Sequence, residues 1–375
     1  MIRTIINAIG WSTKRKIIVI ESDDWGSVRM PSREAYERLQ SAGLPLNQGS
    51  GYRYNGYDKL ESPDDIIGVL EVLRSVRDSN GRHAVLTAMM LMANPDFEKI
   101  RADKFARYYW EPFTQTYERY GYGDKSWNAI QQGTRENLLH PQFHGREHLN
   151  VPSWLKALQA GDPFTLAGFD EGFWGFRSDT YKPIFQAAYD FWEKPEIDQH
   201  EATITEGIAL FQRLMGYAPT HFAAPNGALP LKLESICANL GVKSFVSSRK
   251  QPIPLGGGKY KNVWRRPGQK NTFGQRYIMR NCFFEPNSGT QDWVSSCLKD
   301  IETAFKYKKP AIIGNHRTSF MGGIDPNNRD QGLLAFKKLL QTIVVKWPEV
   351  EFMTSVELVD TINLGSNSKQ HADES

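Results

Sequence analysis

Apolar residues along this chain fall into two alternating patterns, short β-branched runs of the buried-strand kind and longer stretches striped every three or four residues. The first run, Lys16–Glu21, is a strand ending in acids, and Pro31-Ser32 then opens a helix through about Gln40. Ala84–Met92 is a second buried strand, halted by Asn94-Pro95. From Ala202 to Met215 the residues Ile204, Ile208, Phe211 and Met215 share one helical face, and Gly216 ends that helix. Strands follow over Thr220–Ala224, Lys243–Ser247 and Tyr277–Phe284. Trp293, Cys297, Ile301 and Phe305 stripe another helix, which leads into strand Ala311–Gly314. A helix over Leu333–Val345 precedes the last strand, Val350–Met353, and Thr354 with Glu357 makes a capping box for the final helix. About seven strands, each followed by a helix, predict an α/β fold: an irregular (β/α) barrel of parallel strands, with an open doubly wound sheet as the competing architecture.

One stretch fits neither period. Residues 96–139 are aromatic and charged, and are read as inserted helices and loops over one mouth of the barrel. No Pro/Ser-rich linker interrupts the rest, so residues 1–363 are expected to form one domain, followed by a polar, Ser-rich tail, 364–375, expected to be disordered. The formal charge of +4 is weakly basic, and Lys14-Arg15-Lys16 is cut off at once by Ile17–Ile20, which argues against a nucleic-acid partner while tolerating an anionic substrate. Cys237, Cys282 and Cys297 are odd in number and lack C-x-x-C spacing, so they read as small buried hydrophobes in a reducing compartment. The N-terminal apolar stretch is too short and broken for a signal sequence, and there is no run of about 20 apolar residues to span a membrane. The cytoplasm is the expected location, and oligomeric state is left open. Ten Trp, fifteen Tyr and twenty Phe exceed what chemistry needs. Most belong to core and loop packing, and the remainder would suit a groove that stacks on sugar rings.

Three polar clusters carry candidate chemistry. In Glu21-Ser22-Asp23-Asp24-Trp25-Gly26, two adjacent carboxylates end a buried strand, where they are costly unless compensated. A helix-capping Asp pair would explain them equally well. Neighbouring side chains at a strand end point different ways, so one Asp can bind a cation while the other reaches past it. In His140-Pro-Gln-Phe-His144-Gly-Arg-Glu-His148, three of the eight histidines fall within nine residues. Imidazoles four positions apart can converge on one metal from a single turn or helix start, although exposed histidine clusters without metal are common. Asp plus two His leaves coordination positions open, as catalysis requires. In Ala311-Ile-Ile-Gly-Asn-His316-Arg317, a histidine again ends a late buried strand. In a parallel fold all three clusters reach one face, and that coincidence outweighs the bland reading of each. Asp170-Glu171-Gly-Phe-Trp174-Gly-Phe-Arg177 is an aromatic loop that lines a sugar subsite or is simply a packed turn. Arg280, Asn281 and Glu285 end a strand as further candidate substrate contacts. Gly256-Gly257-Gly258 lacks the Lys-Ser/Thr and helix of a phosphate loop.

At these residues the chain resembles the NodB-type polysaccharide deacetylases of carbohydrate esterase family 4, over about residues 16 to 360. Ser22-Asp23-Asp24-Trp25-Gly26 resembles the family's T-F-D-D-G, with an extra Trp before the glycine, and His144-Gly-Arg-Glu-His148 resembles H-[ST]-x-x-H, with Gly145 replacing the hydroxyl residue. Phe222-Ala-Ala-Pro225-Asn226-Gly227 resembles R-x-P-[YW]-G, and Ile313-Gly-Asn-His316 the late L-x-H. The resemblance implies metal-assisted hydrolysis of an N- or O-acetylated saccharide, with Asp23 as base, His316 as acid, and Asp24, His144 and His148 as ligands to a divalent metal. Zinc suits that donor set, and Co2+, Ni2+ or Fe2+ fit the same donors. Trp25, Asn226, Glu171, Trp174, Arg249, Arg280 and Asn281 are the expected substrate contacts, with an oxyanion met by the metal and a backbone N–H near Asn226. Ala223 stands where the family has its arginine, so another basic residue must orient Asp23: Arg249 first, with Arg266 and Arg317 behind it. Two other readings stay open. One is a hydrolase of the same superfamily acting on a non-sugar amide or cyclic imide, and the other is a non-catalytic glycan-binding protein.

Overall fold

The computed structural model describes residues 7–47 and 51–373, with side chains described as far as residue 365. Nine parallel strands form one curled sheet: β1 Lys16–Trp25, β2 Leu86–Leu91, β3 Gln142–Gly145, β4 His221–Phe222, β5 Ser244–Val246, β6 Arg276–Ile278, β7 Cys282–Phe283, β8 Ala311–His316 and β9 Val350–Met353. The neighbour order is β6-β5-β4-β3-β2-β1-β8-β7, with β9 beside the first half of β1. β6 and β7 are one extended stretch that changes partners. Its first half pairs with β5 and its second with β8, so the link 279–281 bridges the seam of an irregular barrel.

Burial explains the strand sequences. Ile17, Ile18, Val19 and Ile20 are covered on both faces, which is why β1 reads as continuously apolar rather than alternating. The expected strands all form, with Tyr277–Phe284 split in two as above. One strand escapes the sequence pattern. β3 is four residues long and rich in polar side chains, and it is the element that carries His144.

Helices close around this sheet with the local chemistry their sequences promise. Ser32 caps the helix Arg33–Ser41, accepting from the Ala35 N–H at 3.1 Å. Gly216 ends Glu196–Met215 in the left-handed region, φ 80°. The Thr354–Glu357 box forms in both directions. All three cysteines are buried and none is disulfide-bonded.

The segment between β2 and β3 divides in two. Phe97, Phe105, Tyr108 and Tyr109 join an aromatic cluster with Trp154, Phe169, Phe173 and Trp174 beside the barrel mouth. The helix Asp124–Arg135 instead buries Ala129 and Ile130 in the main core, in the outer layer with Pro63–Arg74. The final helix, Ser355–Asp373, runs through positions for which polar composition predicts a disordered tail. Leu358, Val359 and Ile362 are packed against the sheet, and a helix nucleated by such packing extends through residues that would not start one. No helix among the described residues is long and apolar enough to cross a membrane.

Candidate active site

In a parallel barrel every strand delivers its last residues to the same mouth. Asp23 and Asp24 arrive there on β1, His144 on β3, Ala223 just past β4, Arg280 between β6 and β7, Glu285 after β7, and His316 at the end of β8. Asp23 and His316 are register partners on adjacent strands.

The two aspartates separate because β1 bulges. Ser22 pairs with Ala88 and Trp25 with Met90, so β1 has one more residue than β2 across this interval. Asp24 takes up the difference with φ 76°, and Gly26 follows at φ 85°, where a Cβ would meet the Leu91 carbonyl oxygen at 2.4 Å. The bulge turns the Asp24 carboxylate toward β3, while Asp23 faces β8 and the 279–281 link.

Asp24 Oδ1 lies 3.2 Å from His144 Nε2 and 3.5 Å from His148 Nε2. Ligand atoms of the three residues all fall within 4.8 Å of one another. The His144 Nδ1–H donates to the Ala223 carbonyl at 2.6 Å, so its lone pair is left on Nε2, toward Asp24. Asp24 Oδ1 and His144 Nε2 are both buried without a hydrogen-bond partner. A buried carboxylate and an imidazole lone pair facing each other in this way are unfavourable unless a cation sits between them, and the donor set fits a divalent ion. Burial pushes the His148 imidazole down to about 4, against the pull of Asp24, so it is neutral as a ligand must be. His144 belongs to a strand and His148 to the loop after it, rather than to one turn or helix start. That loop is fixed by Arg146, which grips Glu147 at 2.6 and 2.7 Å, and by the Trp174 ring stacked 6.0 Å from His148.

Asp23 is held by Arg280. Both guanidinium NH2 groups donate to its carboxylate at 2.6 Å, and Nε donates at 2.6 Å to Glu21. This is the role expected of Arg249. Arg249 instead lines the cavity, Arg266 is exposed, and the wholly buried Arg317 grips Asp58, Glu61 and the Ser27 carbonyl beneath the Asp24 turn. Glu21 also accepts from Ser355 Oγ at 2.6 Å and is 2.9 Å from His221 Nε2, so the arginine is anchored on a saturated buried carboxylate. Burial would raise the Asp23 pKa, but Arg280 more than offsets it and holds the group ionised.

His316 donates from Nδ1 to Glu285 at 2.5 Å, and its Nε2 is 3.7 Å from Asp23 Oδ2. Burial alone would lower its pKa. Glu285, Asp23 and Asp24 outweigh that and raise it to about 9, so the ring is a proton-carrying imidazolium at neutral pH. Glu285 is itself paired with Arg53 at 2.6 Å.

These groups open onto a cavity of about 380 Å3 lined by Asp23, His144, His148, Asn226, Arg249, Arg280 and His316, with Ala223, Val246, Met279 and Phe283 supplying apolar wall. Asn226 sits in a tight turn at φ 53°. Four expected substrate contacts lie elsewhere. Trp25 is fully buried in the core, because the bulge aims it into the barrel, and Trp174 is 3 % exposed, its indole N–H donating to Val28. Glu171 pairs with Arg38 at 2.6 Å away from the cavity. Asn281 is spent on closing the barrel: its Nδ2 donates to Pro310, and its Oδ1 accepts from the Ile312 N–H. Glu21 and His221 were not singled out for this site from the sequence. The acid-terminated β1 was the only signal for Glu21, and His221 gave none.

No protein-family model matches the chain, and no curated protein sequence matches it. Among solved structures it is similar in shape to a protein described as a polysaccharide deacetylase from Mycobacterium smegmatis, with 12 % identity, TM-score 0.45, and 96 % of this chain and 94 % of that one covered. A second, described as a polysaccharide deacetylase from Pseudomonas aeruginosa, gives 10 % identity and TM-score 0.48, covering 92 % of this chain and 91 % of that one. An allantoinase gives 10 % and 0.48, covering 93 % and 91 %. At such identities the chemistry has to be read from this chain's own side chains.

Proposed function

We propose that this chain is a metal-dependent deacetylase that hydrolyses an N- or O-linked acetyl group from a sugar or polysaccharide, within one catalytic domain over residues 1–363. The observation that carries the reading is a single cavity in which a cation-ready Asp24–His144–His148 set stands beside an ionised, arginine-clamped carboxylate and a protonated, carboxylate-backed imidazole. These are the parts that hydrolysis of an acyl group needs.

Asp24, His144 and His148 would hold a divalent cation, zinc suiting the donors, and that ion would supply Lewis acidity toward the acetyl carbonyl and lower the pKa of water. Asp23, fixed by Arg280, accepts the proton as water adds to the carbonyl carbon. His316 delivers its Nε2 proton to the leaving nitrogen or oxygen as the C–N or C–O bond breaks, and Glu285 stabilises the imidazolium until then. Acetate and the free amine or hydroxyl result. Ala223, Val246 and Met279 offer the acetyl methyl a dry wall.

Metal analysis of the purified protein, coupled to acetate release from a panel of acetylated saccharides, tests this. Asp24→Asn should lose metal and activity together. Asp23→Asn should keep its metal and lose at least about a hundredfold in turnover. Equal metal loss in both variants would refute the division of roles, and metal-loaded protein releasing no acetate from any saccharide would refute the deacetylase.

A further inference from the structure

From Ser235 to Phe284 the chain contains no Asp or Glu and ten Lys or Arg. That is a formal +10 against +4 for the whole chain, so the remainder is net acidic. The fold concentrates this segment at the site. It supplies β5, β6, β7 and the antiparallel hairpin Lys250–Gly256/Lys259–Trp264, whose first strand starts at the cavity wall through Arg249, Gln251 and Pro252.

The hairpin is a fixed platform. Ile253 is buried beneath it, the Gly257 N–H donates to Trp192 at 2.9 Å, and the Tyr260 hydroxyl donates to Asp190 at 2.5 Å. Its cations are not spent on that anchoring. Lys250, Lys259 and Lys261 are exposed, and none has a carboxylate partner among the described residues. Cross-strand pairing sets Trp264 opposite Lys250 and Asn262 opposite Pro252, so these four share one face of the ribbon. Trp264 is 65 % exposed, on the same face as a residue that lines the cavity. An exposed indole with Lys250 beside it, continuous with a cavity lined by Arg249, suits a ring with apolar C–H faces that carries negative charge, while Lys259 and Lys261, the latter opposite Ile253, lie on the other face of the ribbon.

We infer that this hairpin is the substrate-binding extension of the active site, and that it selects an anionic saccharide chain, with carboxylates on the units flanking the acetylated one and a sugar ring stacked on Trp264. The inference rests on the deacetylase reading for which bond is cut, and on the hairpin alone for which chain is held. Lys250 stands beside Trp264 and next in sequence to Arg249 on the cavity wall, so positive charge lies between the cavity and the indole. The glycine turn Gly256–Gly258 lies at the far end of the ribbon from Lys250 and leads into a strand, not the helix N-terminus that a phosphate cradle would require.

Binding to the full chain separates the two readings. The probes are a hyaluronan hexasaccharide, with N-acetylglucosamine and glucuronate alternating, and neutral N-acetylchitohexaose, each titrated at low and raised salt. Hyaluronan should bind at least tenfold tighter at low salt and lose that margin at raised salt. The variant Lys250→Gln should lose most of the hyaluronan advantage and leave chitohexaose binding unchanged, Lys259→Gln/Lys261→Gln on the other face should lose little of it, and Trp264→Ala should weaken both. All four positions are exposed, and circular dichroism confirms the fold. Equal binding of the two oligosaccharides, or no effect of Lys250→Gln, overturns the inference. Polyphosphate binding as tightly as hyaluronan and indifferent to Trp264→Ala also overturns it. A retained hyaluronan preference without acetate release overturns only the deacetylase reading.

Discussion

Asp24 holds a left-handed backbone that costs a non-glycine residue roughly 1–3 kcal/mol, and what it gains is a carboxylate aimed at two imidazoles instead of at Arg280. Asp23, one residue earlier, keeps extended geometry and the bidentate clamp. Adjacent acids thus take separate roles through a single bulge. His316, the proposed acid, is tuned by Glu285, the largest of the charges that raise its pKa to about 9 against burial. Activity that needs the protonated ring should therefore be full below that value and fall as pH rises through it. Glu285→Gln removes the charge but keeps an acceptor for Nδ1, and the alkaline limb of the pH–rate profile should move down toward the ordinary histidine value of about 6.5. An alkaline limb left in place would show that His316 is not the group titrating there.

At the scale of elements, the site is built where strands stop, and glycines set the clearances. Gly314, in mid-β8, faces the aliphatic stem of Arg280, and a Cβ there would approach Arg280 Cδ to 2.7 Å. The arginine crosses the sheet to reach Asp23 only because that position lacks a side chain. Gly314→Ala should displace Arg280 and lower kcat by roughly tenfold or more through misplacement of Asp23, the proposed base, with KM little changed. Its cost in folding stability should be about 1–3 kcal/mol, typical of modest overpacking. Stopped kinetics against thermal unfolding of the same variant separates the two effects, and an unchanged kcat would mean that the clamp tolerates the shift. Gly145 is a parallel case at the end of β3. With φ 145° and the Tyr189 hydroxyl 2.9 Å from where a Cβ would stand, it has no room for the hydroxyl residue that the resembled motif carries there.

For the molecule as a whole, the candidate metal site joins β1 to β3 and its following loop, and the Arg280–Glu21 pair joins β1 to the barrel seam. An ion bound only by the folded chain should then stabilise it globally, by about 2.7 kcal/mol at a free concentration one hundred times its Kd. Chelation should lower Tm by several degrees, re-addition of zinc should restore it, and Asp24→Asn should show neither change. A chelated protein with unchanged Tm would leave the three side chains as a polar cluster without an ion. The electrostatic asymmetry also belongs to this scale: a weakly basic total conceals one strongly basic segment, Ser235–Phe284, set against a net acidic remainder.

Much of this was determined locally, and so was legible in the chain. Strands and helices followed from apolar periodicity, because burial on both faces of β1 or one face of Glu196–Met215 imposes its pattern on neighbouring residues. The Asp24–His144–His148 set was legible too, since parallel strands send their ends to one mouth and the polar residues stood at those ends. β3 was not, because four residues, Gln142–Gly145, are too few to carry a period. Nor was the partner of Asp23. Arg280 lies 257 residues away and reaches it through a strand that changes neighbours halfway, which no local pattern encodes. Trp25, Trp174 and Asn281 looked like substrate contacts because they flank motifs. Whether a side chain at a strand end turns toward the cavity or the core depends on bulge and register, and those were decided by the closed barrel.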